Sequence, residues 1–259
     1  MAYQTKQMKH KSLIYCLLSI ILTLGSISIA NAQNNPYVDD RLLHFGFFLE
    51  LDVLSYLVEE NDSLTQLQLP HANGNVYHLR SSAVGAGFAA GFIADLRLSR
   101  HLNLRFTPAL HFGERTLQYK SYTTHVEGST EALRDKIGVL TIPISIPLYL
   151  KWSAEREANY RPYVIVGGGV QFECFRKKDA VILHQPFDAF VSAGFGCDFY
   201  FRWFKFCPEI KYKIGFLDAH VPTSRTEAEG WQLTAQDYFY SNAIRRLTHQ
   251  ELSIAFNFE

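Results

Sequence analysis

Residues 204–214 read FKFCPEIKYKI, and an apolar residue occupies every second position of this stretch. The intervening positions hold lysines, a cysteine and a glutamate. A period of two sorts side chains onto the two faces of a β-strand, whereas a helix with about 3.6 residues per turn would mix them. The stretch therefore predicts a strand with one oily face and one polar face.

The same alternation recurs, with varying strictness, along residues 42–259. The predicted strands are 11 to 16 residues long, whereas strands of globular proteins most often have roughly 5–6 residues. The eight predicted strands cover 43–53, 84–98, 102–112, 137–152, 162–175, 191–201, 204–214 and 247–258.

The fold class depends on what the oily face contacts. A soluble sandwich or a lipocalin-like barrel would show the same alternation with the oily face turned into a core, and this alternative stays open. Long strands, aromatic outer faces, and small or charged opposite faces favour an all-β, eight-stranded, antiparallel up-and-down transmembrane β-barrel. Short links at 99–101, 153–161 and 202–203 alternate with long ones at 54–81, 118–136, 177–187 and 217–246.

Residues 1–32 are organised like a cleaved signal peptide. Lysines precede an apolar run at 13–29, and Ala30 and Ala32 then offer small residues for cleavage. Cleavage takes three of the 25 basic residues and none of the 25 acidic ones, so the formal net charge falls from 0 to −3. That balance gives no electrostatic reason to expect a nucleic-acid partner. The predicted boundaries are 1–32 for the signal peptide, 33–41 for a short periplasmic segment and 42–259 for an outer-membrane barrel. The barrel would contact lipid, and both of its termini would lie in the periplasm.

The lengths of the short links fix two registers. The three-residue link places Asp95 opposite Arg105, and we predict a buried ion pair because lone charges in a narrow interior are costly. The alternative is that both residues lie at the solvent-exposed rim of the barrel. The two-residue link places Cys207 opposite Asp198 and facing inward. Because Cys197 then faces outward, the two cysteines should not form a disulfide.

Two sets of side chains follow from these assignments. Polar residues of the inward face are candidates for the barrel lumen, and aromatic residues near the short links are candidates for a girdle at the membrane boundary. The lumen candidates are Asp95, Arg97, Arg105, Glu173, Asp198, Glu209 and Lys211, and the girdle candidates are Trp152, Tyr163, Phe199, Phe201, Trp203 and Phe204.

The sequence contains no motif of metal, nucleotide or cofactor type, and we predict no catalytic residue. The glycine-rich run at 85–91 does not open a helical pattern, so it fits glycines that clear space inside a barrel. A lipid A-modifying enzyme would use a serine and a histidine near the outer rim, but no spacing links the available residues to a carboxylate. These residues are His78, Ser81, Ser82, His125 and His184.

Three strings resemble the PorT family: LLHFGFFLELDV at 42–53, LRLSRHLNLRFTPALHFGERTLQY at 96–119 and RPYVIVGGGV at 161–170. The resemblance implies an outer-membrane component of the type IX secretion apparatus of gliding and protease-secreting Gram-negative bacteria. Other proteins of that apparatus would be its partners. An eight-stranded barrel is filled by side chains and cannot conduct folded cargo, so the implied role is accessory. A general small barrel, adhesin-like or porin-like, is the alternative, followed by the lipid A-modifying enzyme.

Overall fold

The protein is described by a computed structural model over residues 38–60, 75–79, 85–123, 134–174, 184–221 and 244–259, so the predicted signal peptide lies outside the described residues. Among these residues, no helix is long and apolar enough to cross a membrane. They form a short 3-10 helix at Val38–Asp40 and eleven strands. The strands are β1 (Leu43–Glu60), β2 (Asn75–Leu79), β3 (Gly85–Arg97), β4 (Leu102–Phe106), β5 (Ala109–Thr123), β6 (Arg134–Thr141), β7 (Pro143–Ser153), β8 (Tyr160–Glu173), β9 (Phe187–Tyr200), β10 (Lys205–Gly215) and β11 (Ile244–Phe258).

These strands build a closed barrel of eight segments that each run from one end of the barrel to the other, which we call spans. β4 and β5 are two parts of one span, interrupted at Thr107 and Pro108, and β6 and β7 are two parts of another, interrupted at Ile142. β2 pairs with the far end of β5 and forms no separate span. Each span is antiparallel to its neighbours in sequence, and β1 pairs with both β3 and β11, which closes the ring. The predicted all-β, up-and-down architecture is confirmed.

The two faces of the wall differ in exposure as the alternation predicts. Along β7, buried and exposed side chains alternate at every residue, with Leu148 and Leu150 outside and Tyr149 inside. Large apolar side chains such as Phe92, which is 74% exposed, stand on the outside of the wall. A soluble protein would bury such rows, so the wall is built to face lipid.

Connections between spans alternate in length. Residues 98–101, 154–159 and 201–204 make short links at one end of the barrel, which we call the short-turn end. The opposite, long-loop end carries the connections 61–84, 124–133, 174–186 and 216–243, with β2 inside the first.

The structure corrects the predicted limits of several strands. The first long link was predicted to begin at residue 54, but β1 continues to Glu60 and pairs with β11 along this length. Leu54 and Tyr56 are apolar yet buried inside the barrel. Here the inward face has become apolar while the outward face includes Ser55 and Glu59, so the alternation of polar-in and apolar-out is lost from the sequence although the strand continues.

Candidate functional site: a lumen filled by charges

The predicted pair between Asp95 and Arg105 lies inside the barrel near the short-turn end. β3 and β4 place the two residues directly opposite each other, and Arg105 Nε donates to Asp95 Oδ2 at 2.8 Å. Both side chains are almost fully buried, at 0% and 1% exposure. The same guanidinium also reaches Glu259 at 2.5 Å and Glu209 at 3.5 Å. One arginine therefore joins carboxylates from both sides of the lumen.

A second cluster lies beside this arginine. Lys151 Nζ donates to both carboxylate oxygens of Asp198, at 2.8 and 2.7 Å, and lies 4.0 Å from the ring centroid of Tyr163. Tyr163 Oη in turn donates to Glu209 at 2.8 Å. The interior here is a continuous set of charged and aromatic contacts.

The position of Tyr163 corrects the predicted girdle. Its ring is buried in the lumen and does not stand at the membrane boundary. Gly196 makes the space, because a Cβ atom built on it would lie 2.5 Å from Tyr163 Oη. The other girdle candidates are exposed and flank the short-turn end: Trp152, Phe199, Phe201, Trp203 and Phe204.

A third cluster fills the middle of the lumen. Lys211 Nζ donates to Glu50 at 3.1 Å, which joins β10 to β1. Lys213 pairs with Glu251 at 2.6 Å, and Arg115 lies 3.7 Å from the same carboxylate. These buried pairs join spans that are far apart in sequence.

The long-loop end of the lumen is closed by aromatic rings and by part of a connection. Tyr56 Oη and His184 Nε2 lie 2.7 Å apart, and His249 Nδ1 and Asp188 Oδ2 lie 2.8 Å apart. Val221, from the connection that follows β10, is buried, and its neighbour His220 forms a β-bridge with His184. His184 is thus packed inside the barrel, where the sequence had suggested a possible rim position.

The connection after β10 is held against the barrel by Asp218. Its Oδ1 accepts the backbone N–H groups of His220 at 2.9 Å and Leu247 at 3.0 Å. His220 lies outside the spans, and burial lowers the pKa of its imidazole against the opposing influence of Asp218.

Arg97 and Glu173 were predicted inside the lumen but lie near its two ends. Arg97 is 28% exposed and pairs with Asp40 of the 3-10 helix at 3.1 Å. Glu173 accepts the backbone N–H of Ile142 at 2.6 Å, at the break between β6 and β7. Each has a local role in holding an end of the barrel.

Sequence reasoning missed several members of this network. Lys151 and Lys205 follow the inward phase of their strands, between large apolar neighbours, and that signal could have identified them. Glu259 lies one residue beyond β11 and continues the inward phase of Ser253, Ala255 and Asn257, so the same signal could have identified it. Its backbone pairs with Lys205 at 2.7 and 2.9 Å, which turns its side chain inward.

Two small cavities among the described lumen residues measure about 20 and about 10 Å³, and each has space for about one water molecule. A larger cavity of about 740 Å³ lies at the short-turn end, beside Tyr200, Lys205 and Glu259. Asp52, His111 and Ser145 form a chain in the order of a catalytic triad, with His111 Nε2 at 2.8 Å from Ser145 Oγ. The serine is buried beside the cavity of about 20 Å³, which is too small to admit a lipid.

The sequence matches the model of the outer membrane protein beta-barrel domain over residues 31–221. The chain belongs to this family. The oily wall of this outer-membrane barrel therefore lies in the outer membrane. No curated protein matches the chain. A crystal structure of Neisserial surface protein A (NspA) is similar at 10% sequence identity and a TM-score of 0.35, over 82% of this chain and 95% of NspA.

Proposed function

We propose that this barrel is a non-enzymatic accessory component of the type IX protein secretion apparatus. The observation that carries the accessory role is the filled lumen, whose buried ion pairs leave space for single waters and not for cargo. A barrel of this kind acts through its surfaces. The secretion role is supported by the strings at 42–53, 96–119 and 161–170 that resemble the PorT family.

In this proposal the short-turn end faces the periplasm and the long-loop end faces the cell exterior. The alternation of short and long connections supports this orientation, because outer-membrane barrels carry short turns on the periplasmic side. Residues 1–32 act as the export signal, and both ends of the exported chain are periplasmic. Partner proteins of the apparatus bind the long connections or the lipid-facing wall.

Deletion of the gene in the native bacterium tests the proposal. The barrel is required for folded cargo to reach the surface, so the deletion strain retains cargo in the periplasm, and the intact gene restores release. A pull-down from detergent-solubilised outer membranes then recovers other secretion proteins. Normal cargo release without the gene would refute the secretion role and leave the passive small barrel.

A shortened chain locates the working surface. His220 and Val221 pack into the barrel, so a deletion should begin after them, and removal of residues 222–240 spares every described strand. We expect this variant to insert, as judged by heat-modifiable gel mobility, and to lose secretion. Normal secretion would move the partner surface to the wall or the periplasmic side. Unchanged lipid A, measured by mass spectrometry with and without the gene, is expected of a non-enzymatic barrel.

A further inference from the structure

Asp52 differs from most carboxylates of the lumen because no lysine or arginine of the described residues pairs with it. Its Oδ2 lies 3.4 Å from His111 Nδ1, which is long for a hydrogen bond. Its Oδ1 has no hydrogen-bond partner, although the residue is only 4% exposed. A buried carboxylate without a counter-charge is costly, so this site has an unmet demand for a cation.

Two further ligand groups face Asp52. Asp52, His111 and Glu251 each offer one ligand atom, and these three atoms all lie within 4.8 Å of one another. They come from β1, β5 and β11, which explains why the sequence shows no metal-binding spacing and why we predicted no metal site from it. Atoms bound to one tetrahedral ion at 2.0–2.1 Å are about 3.3 Å apart. The 3.4 Å between Asp52 Oδ2 and His111 Nδ1 fits that geometry.

The surroundings of His111 suit a metal ligand. Its Nε2 lies 2.8 Å from Ser145 Oγ, and donation of the Nε2 proton to this hydroxyl leaves the Nδ1 lone pair directed at Asp52. Metal-binding histidines commonly have such a partner on the second nitrogen. A cavity of about 20 Å³ is lined by His111, Ser145 and Glu251 but not by Asp52, and it has space for one water molecule beside the site.

We propose that Asp52, His111 and Glu251 bind a Zn²⁺ ion that joins three spans of the barrel. One imidazole nitrogen, two carboxylate oxygens and a water are ligands that zinc accepts in tetrahedral geometry. Asp52 supplies the negative charge that no lysine or arginine of the described residues balances. Glu251 pairs with Lys213 through Oε1 at 2.6 Å, and its Oε2, which lies 3.7 Å from Arg115, is the oxygen that remains for the ion. The ion is enclosed, and its role is structural.

Zinc content of the folded protein tests the proposal. The lumen is closed, so the purified protein is unfolded and refolded in detergent with ZnSO₄, and separately with EDTA, and both samples are then freed of loose metal. We expect mass spectrometry to find one zinc per chain in the first sample, with higher thermal stability than in the second. X-ray absorption should show only nitrogen and oxygen ligands near 2.0–2.1 Å. Refolded protein without zinc, or with zinc bound to sulfur, overturns the proposal.

Variants assign the ligands. Asp52→Asn and His111→Gln should lose stoichiometric zinc, and Ser145→Ala should weaken binding by about 10- to 100-fold. Asp188→Asn is the matched control, because Asp188 forms a direct 2.8 Å contact with His249 at the long-loop end; this variant should keep its zinc. Zinc retained in Asp52→Asn at the wild-type level contradicts the assignment. If a variant does not fold, the wild-type stoichiometry and absorption spectrum decide the question.

Discussion

Replacing Arg105 by leucine should destabilise the barrel more than any change on its rim. The guanidinium lies 2.8 Å from Asp95, 2.5 Å from Glu259 and 3.5 Å from Glu209, and its side chain is 1% exposed. The substitution leaves three buried carboxylates with one cation fewer. Removing one member of a buried ion pair typically costs about 3–5 kcal/mol, and we expect a loss of that size in the free energy of unfolding.

Arg100→Leu is the matched control for this change. Arg100 pairs with Glu155 at 3.3 Å, but both side chains are largely exposed, at 74% and 67%. Exposed pairs of this kind contribute about 0–1 kcal/mol. The same chemical change should therefore have a small effect at the rim and a large one in the lumen.

Denaturant unfolding of the barrel in lipid vesicles, followed by tryptophan fluorescence, measures both variants. Adding Asp95→Asn to Arg105→Leu should restore part of the lost stability, because it removes one of the unpaired charges. Equal small losses for Arg105→Leu and Arg100→Leu would refute the argument that lumen charges hold the spans together. A double variant less stable than Arg105→Leu alone would refute the pairing.

Three further changes test other parts of the barrel. Ile254→Lys puts a charge on the lipid face and should cost up to about 2–4 kcal/mol in unfolding free energy; an unchanged denaturation midpoint would contradict a lipid-facing position. Cys197 and Cys207 are both free, and Cys174 is free and exposed. In a Cys174→Ser variant, a mild disulfide-forming oxidant should therefore remove no hydrogens from the folded barrel, and a loss of two hydrogens would show the disulfide between Cys197 and Cys207 that we exclude. Burial holds the pKa of His220 below its ordinary value of 6.5, so its contribution to stability is present above pH 6.5 and lost as the pH falls through the lowered value. The protection factors of the amides at 216–221, which correct for the slower intrinsic exchange in acid, should fall on acidification, and less so in His220→Gln; an equal fall in both would contradict this origin.

Much of the barrel follows from local sequence rules. The number of residues in a short link determines which residues of the two strands face each other. The position of Asp95 opposite Arg105 could therefore be predicted. The two-residue link in the same way predicts that Cys207 faces inward, and Cys207 is buried. Once one residue of β10 is known to face inward, the alternation places every lysine of β10 inside the barrel. These conclusions need only the period of a strand and the length of a turn.

Other positions depend on the partner across the lumen. Tyr163 was placed at the membrane boundary because aromatic residues collect there, yet its ring is in the lumen, where Gly196 on the neighbouring strand leaves space. The candidate zinc ligands come from three separated spans. Only the closed ring brings such residues together, and one strand's sequence does not contain that information.

The central claim is that one face of each strand contacts lipid and the other face is enclosed. Nitroxide labels placed singly at Leu252, Ser253 and Ile254 test it, because these consecutive residues of β11 alternate between outside and inside. Electron paramagnetic resonance of the barrel in vesicles should show high accessibility to oxygen at Leu252 and Ile254, and low accessibility with strong immobilisation at Ser253. Similar oxygen accessibility at all three positions, or a maximum at Ser253, would contradict the account.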